Sequence, residues 1–264
     1  MNIKPPKRLD IDGTAVLQDA VARIAHANPH MQAGRRNFLR RSLTLGGLSM
    51  LTGCTLVDDS SVETALTRIS RMNDEVQGWL FDPNRLAPTY PDSMITRPFP
   101  FNAFYSEDEV QEIDGSAFRL EVTGLVADKR KWALPELQAM PQIEQVTRHI
   151  CVEGWSAIGK WGGVSFGSFL RRVGADLSAK YVGFKCSDDY FTSIDMATAL
   201  HPQTTLALTY DGQPLPPKYG FPMKLRMPTK LGYKNPKHIQ AIFVTNTYPG
   251  GYWEDQGYNW FGGS

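Results

Sequence analysis

The sequence predicts an α+β fold with mixed β-sheets and interspersed helices. Short stretches of period-two alternation recur after residue 117, such as Phe118/Leu120/Val122 set against Arg119/Glu121/Thr123. Such alternation is the mark of half-buried strands. Helical patterns fall between these stretches irregularly, so neither a regular βαβ order nor an internal repeat is indicated. A chain of 264 residues, 42% hydrophobic and 21% charged, is sufficient for one core of ~200 residues behind a leader. Its 28 Lys+Arg and 27 Asp+Glu nearly cancel, which removes the basic footprint expected of a nucleic-acid binder.

Three segments are expected. Residues 1–54 read as a polar cytoplasmic extension followed by a targeting signal. Gly34-Arg35-Arg36-Asn37-Phe38-Leu39-Arg40-Arg41 precedes the apolar run Leu43 to Leu51, a pattern that resembles a twin-arginine export signal. As a helix, nine residues span only ~14 Å against a ~30 Å hydrocarbon core, so the run reads as a signal core and not a stable span. Leu51-Thr52-Gly53-Cys54 resembles a lipoprotein cleavage box. Cys54 is then either lipidated, anchoring the product outside the inner membrane, or incidental to ordinary cleavage nearby.

Residues 55–100 read as a helix and then an extended stretch. Ser60-Ser61-Val62-Glu63 has capping-box spacing. Val62, Leu66, Ile69, Met72/Asn73, Val76 and Leu80 keep a helical period to about Phe81, which predicts a helix packed through that face. Pro83, Pro88, Pro91, Pro98 and Pro100 then call for extended chain.

Residues 101–264 carry the strand patterns and the chemistry. Ala117–Thr123 is closed by Gly124, and Leu134-Pro135-Glu136-Leu137 starts a short helix. Gln145–Cys151 reads as a strand leading into a glycine-rich, tryptophan-bearing loop that includes Lys160-Trp161-Gly162-Gly163. Phe166–Val173 predicts a helix stopped by Gly174, and Tyr181–Cys186 a strand. Thr204–Tyr210 predicts a strand with an Asp211-Gly212 turn. Phe221–Met227 alternates Met223/Leu225/Met227 with Lys224/Arg226. His238–Thr245 predicts a closing strand, apolar on both faces.

Cys151 is the organising residue. At a strand end beside a loop, a cysteine can be a buried hydrophobe, a nucleophile or a metal ligand. His149 shares its strand face, so a Cys-His hydrolase is conceivable, although neither an orienting third group nor an oxyanion site is marked. The five histidines and three cysteines show no paired zinc spacing.

The segment Arg148-His149-Ile150-Cys151-Val152-Glu153-Gly154-Trp155 resembles the metal-cysteine loop of the sulfite oxidase-type molybdopterin enzymes. Other segments agree in order. Asn102-Ala103-Phe104-Tyr105 is similar to the pterin-contacting Asn-x-Phe-Tyr of the periplasmic methionine sulfoxide reductases in that family. Tyr219-Gly220-Phe221-Pro222-Met223-Lys224-Leu225 is similar to its His/Asn-Gly-x-Pro-x-Arg-Leu, and Gly232-Tyr233-Lys234 to its Gly-aromatic-Lys motif. The resemblance implies a molybdenum-molybdopterin cofactor in the sulfite oxidase-type fold. Cys151 would be the catalytic metal ligand. Asn102, Tyr105, Ser106, Cys186, Tyr219, Lys224, Gly232, Tyr233 and Lys234 would be cofactor contacts, with Arg226 a weaker candidate on the same strand face as Lys224.

The departures are specific. Tyr219 stands where the family carries histidine or asparagine, Lys224 where it carries an arginine fork, and Ser106 where close relatives have an acid. Glu153, Trp155 and Ser156 occupy the region where sulfite oxidases place an anion-binding arginine, which favours a neutral substrate such as a sulfoxide. The resemblance therefore implies oxygen-atom transfer in the direction of sulfoxide or similar S/N-oxide reduction. Sulfite oxidation and a non-catalytic exported binding protein are the alternatives. No CxxCH or iron–sulfur spacing occurs, so electrons would come from a partner, for which the family implies a membrane b-type cytochrome. The chain ends soon after the core, leaving no room for the family's immunoglobulin-like dimerisation domain, and a monomeric catalytic subunit is expected.

Overall fold

In the computed structural model, residues 59–264 can be described. The export signal and Cys54 lie outside the described residues. Thr64–Ser264 form one compact unit, and the architecture below is that of this unit and of the helix that leads into it.

Helix α1 (Asp59–Leu80) has the predicted length but not the predicted packing. Leu66, Ile69, Met72, Val76 and Leu80 are all exposed. The helix docks instead through polar side chains. Asp74 Oδ1 accepts from Asn259 Nδ2 at 2.6 Å and from the Phe261 amide at 2.8 Å, and Gln77 Oε1 accepts from the Gly263 amide at 3.3 Å. The two carboxylate bonds and the Phe81–Phe261 ring contact at 5.7 Å hold a face that the apolar periodicity did not select.

The extended stretch that follows lies along the edge of strand β3 (Gln142–Ile150). Thr89 bridges Thr147, and the Tyr90 amide donates to the Val146 carbonyl at 3.0 Å. These bonds satisfy an edge that would otherwise be open to another chain.

Among the described residues the strands form two five-stranded sheets. One has the order β2 (Trp132–Ala133), β1 (Arg119–Gly124), β10 (Ile239–Thr245), β5 (Tyr181–Cys186), β6 (Phe191–Asp195). Its β1–β10 pair is parallel and the others are antiparallel, as a mixed sheet requires. The predicted closing strand is thus central, flanked on both sides, and within β10 only Ile239, Ile242 and Val244 are buried. The second sheet runs β3, β4 (Ser156–Ser165), β7 (Thr205–Tyr210), β8 (Gln213–Pro214), with β9 (Lys224–Arg226) on β7.

Lys160–Gly163 is not loop. It lies inside β4, paired with β3 and β7. Gly163 is needed there because a Cβ would stand 1.9 Å from the Leu206 carbonyl oxygen; the close backbone approach at a register shift, not a turn, explains the glycines. Both sheets contribute to one core, Leu120, Val122, Val182 and Ile242 from the first and Val164, Leu206 and Leu225 from the second. Short helices α2 (Leu134–Gln138), α3 (Phe166–Arg172) and α4 (Met196–Leu200) complete the layers. Asp195 caps α4 through the Thr198 amide at 2.7 Å.

Candidate active site

Strand β3 ends at Ile150 and delivers Cys151 into a five-residue connection to β4. The Cys151 amide donates to the Trp155 carbonyl at 2.9 Å, and the Gly154 amide to the Cys151 carbonyl at 3.2 Å. Gly154 adopts φ +90°, a left-handed turn position that suits glycine. The connection is tight, and it sets the thiol in a cavity lined from five separate segments. These are Asn102–Phe104, Cys151–Glu153, Asp188 and Tyr190, Gly232–Tyr233 with Asn235–Lys237, and Trp253 with Tyr258.

Cys151 and Cys186 are both free and buried. The Cys151 thiol lies 3.7 Å from Glu153 Oε2, and Trp155 Nε1 donates to the same oxygen at 2.8 Å. Burial, with the Glu153 charge beside it, pushes the thiol up. That is the reverse of what a nucleophilic cysteine needs. His149 is fully buried and held neutral by burial and by the neighbouring cations. Its Nε2 lies 3.5 Å from Asn102 Nδ2, and among the described hydrogen bonds none joins it to Cys151. The described residues thus lack a Cys-His hydrolase arrangement.

Behind the cavity lies a concentration of positive charge. Lys224 and Arg226 are 1% and 0% exposed and Lys237 is 8% exposed. Among the described residues no carboxylate lies within ion-pair distance of any of the three. Burial lowers Lys237 to about 8 and Arg226 to about 9, and takes Lys224 well below its ordinary range, with Lys237 and Arg226 adding repulsion. Buried cations without counter-charge are costly. Their partial compensation is visible: Lys224 Nζ lies 4.9 Å from the Trp161 ring centre and Lys237 Nζ 4.5 Å from that of Phe101. Arg226 ties β9 to the end of β3, donating to Thr147 Oγ1 at 3.2 Å and to the Arg148 carbonyl, while its Nε and the Nδ1 of His149 have no partner. An anionic group carrying acceptors fits this donor set.

The predicted contacts are dispersed by the structure. Asn102, Cys151, Gly232 and Tyr233 reach the cavity together. Tyr105 is one step behind, donating to Asp188 Oδ2 at 3.1 Å. Ser106 is turned outward, its amide and hydroxyl both 2.9 Å from Glu109 Oε2. Tyr219 is in a buried aromatic cluster with Phe99 and Trp161 and donates to the Phe99 carbonyl at 2.8 Å. Cys186 belongs to the main core. Lys224 and Arg226 do not form a solvated strand face; every residue of β9 is buried. The Lys234 ammonium is committed to Glu254, which also accepts from Thr192 Oγ1 at 3.0 Å. Lys237, Asn235, Asp188 and Tyr190 are cavity residues that the motifs did not mark. For Lys237 the available signal was a third lysine, after Lys230 and Lys234, between Pro236 and His238.

The family profile described as "Oxidoreductase molybdopterin binding domain" matches residues 107–253. The chain belongs to this family. It is a molybdopterin-binding oxidoreductase domain of the sulfite oxidase type and a molybdenum-dependent enzyme. It is 77% identical over 230 residues to a provisionally named protein-methionine-sulfoxide reductase subunit, YedZ1, of Azospira oryzae, covering 87% of this chain and 88% of that one. It is 28% identical over 170 residues to the uncharacterized oxidoreductase YuiH of Bacillus subtilis, covering 64% and 85%. Against the protein-methionine-sulfoxide reductase catalytic subunit MsrP of Xanthomonas campestris it is 32% identical over 156 residues, 53% of this chain and 48% of MsrP.

Proposed function

We propose that this enzyme binds a molybdenum-molybdopterin cofactor through Cys151 and reduces a sulfoxide or similar S- or N-oxide. The observation that carries the reading is the pairing of one buried thiol with a set of buried cations that no described carboxylate pairs. Among the described residues no cluster of three His, Cys, Asp or Glu could hold a metal by itself. A soft thiolate therefore suits a metal whose remaining sulfur ligands arrive with the pterin. When bound, the cofactor supplies oxygen-atom transfer coupled to a two-electron change.

The chain's own residues then have separable tasks. Lys237 and Lys224 bind the anionic part of the cofactor, and Asn102 offers its amide to the pterin edge. Tyr190 donates to the Tyr233 carbonyl and fixes the Gly232–Tyr233 turn against the cavity. Phe104, Trp253 and Tyr258 form an aromatic wall; Phe104 stacks on Tyr252 at 4.8 Å and Trp253 meets Tyr258 at 5.0 Å. Such a wall excludes water and suits a thioether-type sulfur. Glu153 beside the thiol disfavours a sulfite dianion. The names of the Azospira and Xanthomonas relatives support the same substrate class.

Export through the Arg35-Arg36 signal, with anchoring at Cys54, is part of the proposal and is supported by the sequence pattern alone. So is a partner that supplies electrons: the family implies a membrane b-type cytochrome, and the Azospira relative is named as a subunit.

The test is metal analysis of wild-type and Cys151→Ala protein from a cofactor-competent host, with turnover of methionine sulfoxide and of sulfite. About one molybdenum per chain is expected, with sulfoxide turnover and a Mo(V) paramagnetic signal altered in the variant. Folded wild-type protein without molybdenum would sink the reading; preferential turnover of sulfite would reverse its direction.

A further inference from the structure

The site does not use the apolar stripe of α1. Leu66, Ile69, Val76 and Leu80 follow a three-four spacing with Asn73 between them. In heptad terms Leu66, Asn73 and Leu80 occupy a, and Ile69 and Val76 occupy d. Met72 and Trp79 flank the stripe at g. All seven are exposed, Trp79 at 83% and Leu80 at 67%. The helix touches its own body through Asp74 and Gln77, while the apolar side chains of the stripe stay exposed.

We propose that this stripe is a self-association surface, on which α1 of other copies of this chain packs in parallel as a coiled coil, in place of the monomer that the sequence suggests. Three observations select that occupant. The six apolar residues are 46% to 83% exposed, and their exposed portions, roughly 700–800 Å² per copy, set an upper limit close to the ~800 Å² per partner of a standard-sized interface. A single asparagine at an a position sets parallel register, because a meets a′ only in a parallel arrangement and the amides then satisfy each other, while Leu66 and Leu80 at a with Ile69 and Val76 at d favour more than two strands. The e and g positions Ser70, Gln77, Met72 and Trp79 carry no charge to repel a copy of themselves. A lipid surface is the poorer match. Interfacial helices are rich in Lys and Arg on the polar face, whereas here Arg68 and Arg71 are offset by Asp74 and Glu75.

Sedimentation of the full chain carrying Cys54→Ser, which removes any acyl anchor, tests the proposal. A dimer or a higher oligomer is expected at concentrations on the order of 100 µM, with the mass reduced to that of one chain in Leu66→Asp/Val76→Asp at unchanged secondary structure. Register is read separately by cysteine cross-linking. Asn73→Cys should give a disulfide-linked dimer, and Arg71→Cys, away from the stripe, should not. A monomeric wild type, an oligomer that survives the double substitution, or equal cross-linking at 73 and 71 overturns the proposal. So does a monomer that floats with phosphatidylethanolamine/phosphatidylglycerol vesicles through the same residues. None of these readouts depends on cofactor content, so their outcome is separable from that of the proposed activity.

Discussion

Gly232 and His149 are in closest-packing contact: a Cβ built on residue 232 would lie 2.8 Å from His149 Nε2 and 3.2 Å from Cε1. The glycine of the Gly-Tyr-Lys motif thus serves a buried imidazole two residues from Cys151. Gly232→Ala must displace either the ring or the turn that carries Tyr233. Neither is the loose end of a flexible chain. The expected outcome is a loss of roughly 1–3 kcal/mol in denaturant titrations together with reduced molybdenum content. Wild-type stability and full metal loading in the variant would show that the turn yields freely.

The buried cations predict a pH dependence for the cofactor-free protein. Lys237 is lowered to about 8 by burial, from an ordinary 10.5, and burial takes Lys224 well below its ordinary range. Between pH 8 and 10 the unfolded chain therefore binds more protons than the folded one, so stability rises with pH. The gain should be on the order of 1–3 kcal/mol. An anion bound at these amines restores their charge in the folded state and flattens the rise. Thermal melts of cofactor-free and loaded protein across that window check both halves of the expectation.

Lys234 and Glu254 form a buried ion pair, 1% and 2% exposed at the side chain. Glu254→Gln leaves the ammonium without its counter-charge and should destabilise by about 3–5 kcal/mol. The double change Lys234→Met/Glu254→Leu should recover much of that loss. Denaturant titrations of the three proteins form the cycle. A double variant no more stable than Glu254→Gln would mean that the pair positions neighbours, such as Thr192, beyond its own charges.

Asp74 is the principal polar anchor of α1. Asp74→Ala removes the acceptor for both the Asn259 amide group and the Phe261 backbone amide. A cost of about 1–3 kcal/mol follows from leaving part-buried donors unsatisfied. Limited proteolysis should then cut sooner in the 81–90 stretch. An unchanged cleavage rate would place the anchoring in Phe81 and Phe261 instead.

Whatever depends on local pattern could be read from the chain before its fold was known. The α+β class, the helix at 59–80, the strands bearing Leu120 and Val182, and Cys151 at a strand end all follow from periodicity and turn residues, which act over a few neighbours. The metal-cysteine segment was legible because its residue types are chemically restrictive. The remainder came from long-range packing. That packing buried Lys224 on a strand whose alternation reads as half-solvated, because β9 lies between β7 and the segment around Asn235, whose side chain bonds Arg226. It drew Lys237 to the cavity and committed Lys234 to Glu254, twenty residues away in the chain. It also turned the apolar side of α1 outward, because hydrogen bonds to the distant Asn259–Phe261 segment outweighed the face that periodicity favours. Which of several similar cations is left without a counter-charge depends on residues far apart in sequence, and no local period records it.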